Sequence, residues 1–543
     1  MSGAQLHSFL GGLALDHHKA LAFARPIASA PLPDALHLPI QGYGGVPEPE
    51  LEQRLRVTPG QTVAAGAVLL AHQDDAHPAL HAPTDGVFQG LMHTPQPTYP
   101  GGAIHHLTLD VDPAAVPAEL PGDAPAALRP SPLDGEAISG EAIIDELSRL
   151  GVVGLGGARF PAAEKIRHAQ DQVDTLIING VGCEPYIACD EALMYARPRA
   201  IVWGAQLLAQ AVGAKRIVLA IEDPLADTHG ALIDVFTQCL DTIKPLKTSV
   251  EVVKVPQRYP QGAERQLIQT LTGEEVPHAG LPQDVGVLVS NVATAASAFD
   301  ALIHQRPLTH RLVTVTGPGV VAPVNVYAPI GVAVGELIAA AGGATPDCSR
   351  WVLGGPMSGQ AITDLRVRID KGSLCVLGLT PSITKPAKPT LPCINCGYCV
   401  SVCPAQLLPQ QLFKLAQHDE HTQAKALGMM DCIECGLCAE VCPSHLPLLD
   451  TYRHSKDWLR AQAQDERAQQ RAKRRFDARQ ARIEKDQAER QARRQARAER
   501  LQSQTSAQSE IEAALARARA KKTNPDPGGG RSGNGSNNGE PST

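Results

Sequence analysis

The rhythm of apolar and polar positions changes several times along the 543 residues, and each change marks a unit. After an N-terminal segment, residues 1–32, short apolar runs alternate with Gly and Pro turns from 33 to 110. Val57-Thr-Pro-Gly60 and Val63-Ala-Ala-Gly66 place strand, turn and strand in succession there, and the run His81 to Val87 supplies a turn on the opposite edge, so a small β-domain is predicted. Six prolines among alanines make 111–135 a linker. From 136 to 310 helical periods alternate with β-branched runs at Thr175–Ile178, Arg216–Ile221, Val250–Val253 and Gly286–Val289. That alternation predicts an α/β domain on a mainly parallel sheet. Residues 311–383 read as a smaller mixed unit around Val313–Val315, the stretch Gly331 to Gly343 and Leu353–Pro356, and prolines at 381, 386, 389 and 392 lead out of it. From 455 to 543 large apolar residues nearly vanish. Leu459, Phe476, Ile483 and Leu501 are too sparse for a coiled-coil seam, while Asp486–Arg490 and Glu489–Arg493 support an isolated helix through i,i+4 pairing. The Gly, Asn, Ser and Pro tract after Thr523 is expected to be disordered.

The first β-unit resembles the barrel-sandwich hybrid of lipoyl and biotinyl carriers. Carriers need a lysine at a hairpin tip, and none occurs between Lys19 and Lys165, which leaves a docking or structural role.

Composition adds two constraints. The chain is 43% hydrophobic and 19% charged, enough for several buried cores, but only 3% aromatic, so an aromatic in a glycine-rich loop stands out. The net charge of −7 is unevenly spread: Lys456 to Lys522 holds 19 Lys and Arg against 10 Asp and Glu, while residues 1–455 carry −15. An acidic body with a basic tail is built to meet two kinds of surface, and nucleic acid is not the expected partner. With no secretory signal pattern and no apolar run of about 18 residues, a cytoplasmic or peripheral location is expected.

Between 384 and 454 lies the strongest chemical signal. Cys393, Cys396, Cys399 and Cys403 precede Pro404, and Cys432, Cys435, Cys438 and Cys442 precede Pro443, the same C-x-x-C-x-x-C-x-x-x-C-P run twice, 39 residues apart. Structural zinc wants two C-x-x-C pairs and leaves the other cysteines unexplained. The run resembles that of bacterial two-cluster ferredoxins, in which the fourth cysteine reaches across to the other cluster. That resemblance implies two [4Fe-4S] clusters on crossed sets, Cys393, Cys396, Cys399 with Cys442, and Cys432, Cys435, Cys438 with Cys403. Cys183, Cys189, Cys239, Cys348 and Cys375 show no ligand spacing and read as buried inert thiols, and His17-His18 reads as part of a solvated terminus.

Four polar loops lie at predicted strand ends or helix starts: Gly154-Leu-Gly156-Gly157-Ala-Arg-Phe160, Asn179-Gly-Val-Gly182-Cys-Glu184-Pro-Tyr186, Tyr259-Pro-Gln-Gly262-Ala-Glu264 and Asn291-Val-Ala-Thr294. Glycines there let backbone N–H groups approach a phosphate at a helix start, and parallel sheets present ligand loops at such ends. Ahead of an iron-sulfur module they point to a flavin. The order of these loops, then the segment Gly317 to Gly343, then two ferredoxin motifs and a charged tail, resembles the C-subunit family of the bacterial Rnf (Rsx) ion-translocating electron-transport complex over about residues 30–450. The central domain is similar to the flavoprotein subunit of respiratory complex I, and 311–383 to its SLBB-type β-grasp unit. The resemblance implies FMN held by Gly154, Gly156, Gly157, Lys165, Asn179, Glu264, Asn291 and Thr294, and NADH met by Phe160 and Glu184. It also implies a peripheral subunit on the cytoplasmic side of the inner membrane, contacting the membrane mainly through partner subunits, that exchanges electrons with ferredoxin or another carrier and in some members keeps a redox-sensing regulator reduced. Two positions depart from the family pattern: Arg159 stands where G-G-A-G-F has glycine, and Gly182 where N-G-x-E-C-E-P has an acid. These departures keep a cluster-bearing docking protein without a working flavin site as an alternative, beside a soluble NADH dehydrogenase.

Overall fold

The computed structural model describes residues 6–40, 48–95, 103–123, 138–222, 225, 229–243, 248–384 and 388–522. The expected disordered tract from 523 and most of the second half of the predicted linker lie outside these residues. Contacts divide the chain into residues 1–460 and 461–543.

Within the first unit, strand β1 (Ala28–Ser29) precedes β2 (Ala35–Pro39), β3 (Thr62–Val63), β4 (Val68–Leu70), β5 (Leu80–His81), β6 (Gly86–Pro95) and β7 (Ala103–Val111). An antiparallel sheet in the order β2-β7-β6-β3 accompanies a β4-β5 ribbon. The alternation read from the sequence sets the inner face: Leu36 pairs with Leu109 and Leu38 with Leu107, and all four are buried together with Phe88. That face shares one core with Val313, Val315, Val326 and Val376 of the next sheet. The described end of the predicted linker is also engaged. Asp123 caps a helix by accepting the N–H groups of Arg199 (3.1 Å) and Ala200 (2.9 Å).

The four runs expected as strands form β8 (Thr175–Gly180), β9 (Arg216–Ile221), β10 (Ser249–Lys254) and β11 (Val287–Asn291), all parallel, in the order β10-β9-β8-β11. β8 and β9 are almost wholly buried, as expected for strands covered on both faces. One covering layer pairs the helix Pro198–Val212, closed by Gly213 in the left-handed conformation (φ 79°), with Val292–His304. At Gly204 an added Cβ would lie 1.7 Å from the Ala295 carbonyl oxygen, so the two helices touch backbone to backbone.

The following unit is a mixed sheet of β12 (His310–Thr316), β13 (Val324–Pro329), β14 (Arg350–Leu353), β15 (Gln360–Ile362) and β16 (Cys375–Leu379), joined at its edge by β1 in the order β1-β13-β12-β16-β14-β15. The N-terminal segment is therefore part of the fold. Gly12 N–H donates to Val402 O, Leu13 pairs with Tyr259, and Lys19 is buried.

The cysteine module repeats its backbone at an offset of 39 residues. Asn395, Gly397 and Gln406 take positive φ (55°, 80° and 52°), and so do Glu434, Gly436 and His445 (57°, 78° and 52°). Short helices Tyr398–Ser401 and Leu437–Glu440 correspond, as do the starts of Pro409–Gln417 and of the long helix Leu448–Lys522. The repeat corrects the expected start of the tail at 455. Through its first turns the long helix is the second copy's counterpart of Pro409–Gln417, and Leu448, Tyr452, Ser455 and Lys456 are buried in the module. Trp458 packs on His421, with ring centroids 4.7 Å apart.

Candidate functional site

The crossed cysteine sets are brought together. Cys393, Cys396, Cys399 and Cys442 line one cavity, and Cys403, Cys432, Cys435 and Cys438 line another. Among the described residues no three His, Cys, Asp or Glu side chains converge as a single ion requires. Each set stands around an opening instead, which fits a cubane that takes one thiolate per iron. Burial pushes the Cys435 thiol up to about 12 and raises Cys399, Cys432 and Cys438. Iron would reverse that preference, since a coordinating thiol is deprotonated outright.

The two nests have different surroundings. Cys393 and Cys396 are exposed. The other nest is pressed against the α/β domain: Leu437 is fully buried in a core with Val181, Leu267 and Tyr259, and Tyr259 Oη donates to Cys435 O at 2.9 Å. Gln266 Nε2 donates to Pro404 O at 3.1 Å. On its far side Lys456 Nζ donates to Cys432 O (2.6 Å) and to Glu434 Oε1 (2.8 Å), and Arg453 lies 3.3 Å from Glu434.

In the parallel sheet the strand order reverses between β8 and β11, and a crevice outside the carboxyl ends of such strands is where ligands enter. Asn179 and Asn291 stand side by side in register there. Gly156 is exposed directly over Asn291, where an added Cβ would lie 3.5 Å from the Asn291 side chain. Leu155 N–H donates to Thr294 Oγ1 at 2.9 Å, fixing the glycine loop on the start of the helix Val292–His304, and Gly154 N–H closes the loop on Phe160 O at 2.7 Å. Lys165 Nζ meets Glu264 Oε1 at 2.6 Å and Val289 O at 2.8 Å, tying the 259–264 loop to strand β11. Asn179 Nδ2 donates to Gly262 O at 2.9 Å, and Asn291 Nδ2 to Asp190 Oδ2 at 2.7 Å. Seven of the eight predicted flavin residues thus gather around this crevice or tie its loops, while Gly157 in the same loop lies beside Leu374, and the exposed backbone at Gly156 fits a phosphate-bearing group.

Phe160 and Glu184 are placed differently. Phe160 is half-buried at the end of the glycine loop. Glu184 Oε1 accepts from Met357 N (2.8 Å) and Ser358 N (3.0 Å), and Oε2 from Ser358 Oγ (2.9 Å), so in this state it clamps the 355–358 loop. The two departures from the family pattern both have structural accounts. Arg159 has φ 60°, a left-handed backbone that glycine adopts freely, and Arg159 Nη1 donates to buried Asp370 Oδ2 at 2.7 Å. A side chain at Gly182 would run into Glu191 Oε1 at 2.2 Å and Lys19 Nζ at 2.5 Å.

Sequence reading missed that last group. Lys19 bonds Glu191 and Gly182 O. Beside them Glu222 is fully buried with neither oxygen partnered, and burial pushes its carboxyl up to about 8. His17, 3.9 Å from Glu222 and half-buried, is pushed down to about 4 by burial and does not belong to a solvated terminus, while His18 stacks on Tyr186 at 4.8 Å and stays exposed. The only signal was Lys19 itself, the last lysine before a run of 145 residues without one. Four of the five remaining cysteines are buried as expected, while Cys348 is partly exposed.

Fold and site define a class of chains that join an α/β domain with a switch-point crevice to a module of two cysteine nests. Family models match residues 147–300 as the Nuo51 FMN-binding domain, 312–361 as an SLBB domain and 392–446 as a 4Fe-4S dicluster domain. The C subunit of the ion-translocating oxidoreductase complex of Pseudomonas aeruginosa is 40% identical over 487 residues, covering 89% of this chain and 60% of that one. The Cronobacter sakazakii protein of the same name is 36% identical over 96% of this chain and 64% of its own length, and that of Salmonella gallinarum 35% identical over 95% and 73%. The chain belongs to the C-subunit family of ion-translocating oxidoreductase complexes. It spans less than two thirds of the length of the first two relatives. Among solved structures, an NAD+-reducing [NiFe]-hydrogenase in the H2-reduced state is 20% identical with a TM-score of 0.41, covering 51% of this chain and 53% of that one.

Proposed function

We propose that this chain is the peripheral electron-transfer component of a membrane-bound complex, on the cytoplasmic side, passing electrons between NADH and ferredoxin or another acceptor while partner subunits move ions. The observation that carries this reading is the pair of crossed thiol nests, one seated on the α/β domain and one opening outward. The crossed sets would hold two [4Fe-4S] clusters. FMN would lie at the switch-point crevice, supplying the change from paired to single electrons that nicotinamide and a cubane cannot make between them.

The chain's own residues bind and orient. Gly156 and Gly157 would present backbone N–H groups at the crevice, Gly154 closes the loop through its own N–H, and Lys165 supplies the cation beside them. Asn179, Asn291 and Thr294 hold the three loops in register, and Glu264 keeps Lys165 in place. Phe160 offers a flat face for a nicotinamide ring. Glu184 would accept ribose hydroxyls on release from Ser358. Arg159 is compatible with this reading, because its guanidinium is engaged by Asp370. Residues 33–110 would be a barrel-sandwich hybrid and 311–383 a β-grasp unit, both serving as support.

The test is the absorption spectrum of the anaerobically purified chain. Flavin and cluster bands that bleach together with NADH are expected, and Glu184→Gln should slow that bleaching while dithionite still reduces both clusters. Stoichiometric iron without flavin, and no response to NADH, would leave only a docking role.

A further inference from the structure

The helix beyond Arg460 belongs to no core, yet its charges are ordered. Between 461 and 500 there are thirteen Lys and Arg against seven Asp and Glu. Laid out at about 100° per residue, eleven of the thirteen fall within an arc of about 160°, with only Lys473 and Arg494 outside it. Asp465, Glu466, Asp477, Glu484 and Glu499 lie outside that arc, and Asp486 and Glu489 within it. From Arg467 to Arg500 the basic face runs for roughly 50 Å. It is not spent on the helix itself: only Asp486–Arg490 and Glu489–Arg493 have the acid-first i,i+4 spacing that supports a solvated helix.

Three large apolar side chains accompany the face. Phe476, Ile483 and Leu501 are 60%, 38% and 56% exposed and fall on one line along the edge of the basic arc. A protein groove would want clustered anchors. A thin apolar line beside a long, flat cationic face suits a sheet of headgroups, with the apolar tips entering the acyl boundary and the guanidinium groups on phosphate.

We infer that the face of residues 467–500 is a docking surface for anionic phospholipid, laid along the membrane plane. It would give the protein its own lipid contact beside those made through partners. The attraction is electrostatic, so it fades as salt shortens the Debye length.

The test uses the full chain and vesicles of phosphatidylcholine with or without roughly 30% phosphatidylglycerol, co-sedimented at about 50 mM and about 500 mM salt. A second protein carries four exchanges that keep net charge and composition but move charge off the face: R471Q with Q470R, R482Q with Q480R, R493Q with Q491R and R500Q with Q502R. The intact chain should bind anionic vesicles at low salt at least tenfold more tightly than neutral ones and release them at high salt, and the exchanges should weaken binding at least tenfold. A Phe476→Trp reporter should shift its emission to the blue on those vesicles. Equal binding by the exchanged chain, binding that ignores lipid charge, an unshifted reporter, or no sedimentation at all would each overturn the inference.

Discussion

The two copies of the cysteine motif share a backbone and differ in what they touch. Gly397 and Gly436 occupy the same left-handed position, but nothing lies within 4 Å of a Cβ added at Gly397, while at Gly436 the Met357 carbonyl oxygen is 2.6 Å away. The next residues are Tyr398, 58% exposed, and Leu437, fully buried. Duplication supplies two equivalent thiol nests, and the surface each meets then separates an inner one from an outer one. Under the proposed electron path, that difference would give them an order.

The largest effect should come from the crossing ligands. Cys403→Ser should remove the inner cluster and Cys442→Ser the outer one, each leaving about half the iron, as read by iron analysis and by EPR of the reduced chain. If each substitution damaged the cluster of its own motif, the crossed sets would be wrong. Next come the equivalent positions. Leu437→Ala should cost about 2–4 kcal/mol of stability and loosen the inner nest, whereas Tyr398→Ala should stay within about 0.5 kcal/mol. Gly397→Ala should cost about 1–2 kcal/mol for its backbone alone, and Gly436→Ala distinctly more. Thermal melts followed by cluster absorbance would show whether the ranking holds.

Truncation sharpens the comparison from the other side. A chain ending at Arg460 should keep both clusters. One ending at His454 loses Lys456 on Cys432 O, and Ser455 with its 2.8 Å hydrogen bond to His421. It should shed the inner cluster faster on dilution, and equal retention by the two chains would contradict the packed helix start.

A smaller effect concerns pH on the α/β side. Burial pushes the Glu222 carboxyl up to about 8 from an ordinary 4.5. Between those values the folded chain holds a proton that the unfolded chain has released, so stability falls as pH rises from about 4.5 to about 8. Glu222→Gln should remove that slope and gain about 1–3 kcal/mol at pH 8 with little change near pH 5. Melting temperatures across that range are the check, and parallel profiles for the two chains would refute the orphaned carboxyl.

Much of this was legible in the residues. The four parallel strands follow from their β-branched runs, and the crossed nests were expected from the resemblance of the cysteine run to two-cluster ferredoxins. The switch-point loops could be picked out because glycines and asparagines cluster at strand ends. What could not be read were contacts between distant segments. Lys19 meets Glu191 across 172 residues, and Glu184 meets Ser358 across 174. The tail boundary failed for a related reason. Ser455 and Lys456 are polar, so composition assigned them to the solvated helix, whereas a buried hydroxyl and ammonium with carbonyl and ring partners belong to the module's core.

The order of the nests has a direct test. In a Cys435→Ser chain, freeze-quenched under anaerobic conditions after mixing with NADH, the outer cluster's EPR signal should fail to appear although dithionite still raises it. In a Cys396→Ser chain the inner cluster should be reduced by NADH as before. An outer cluster reduced at the unaltered rate without its inner neighbour would contradict the account.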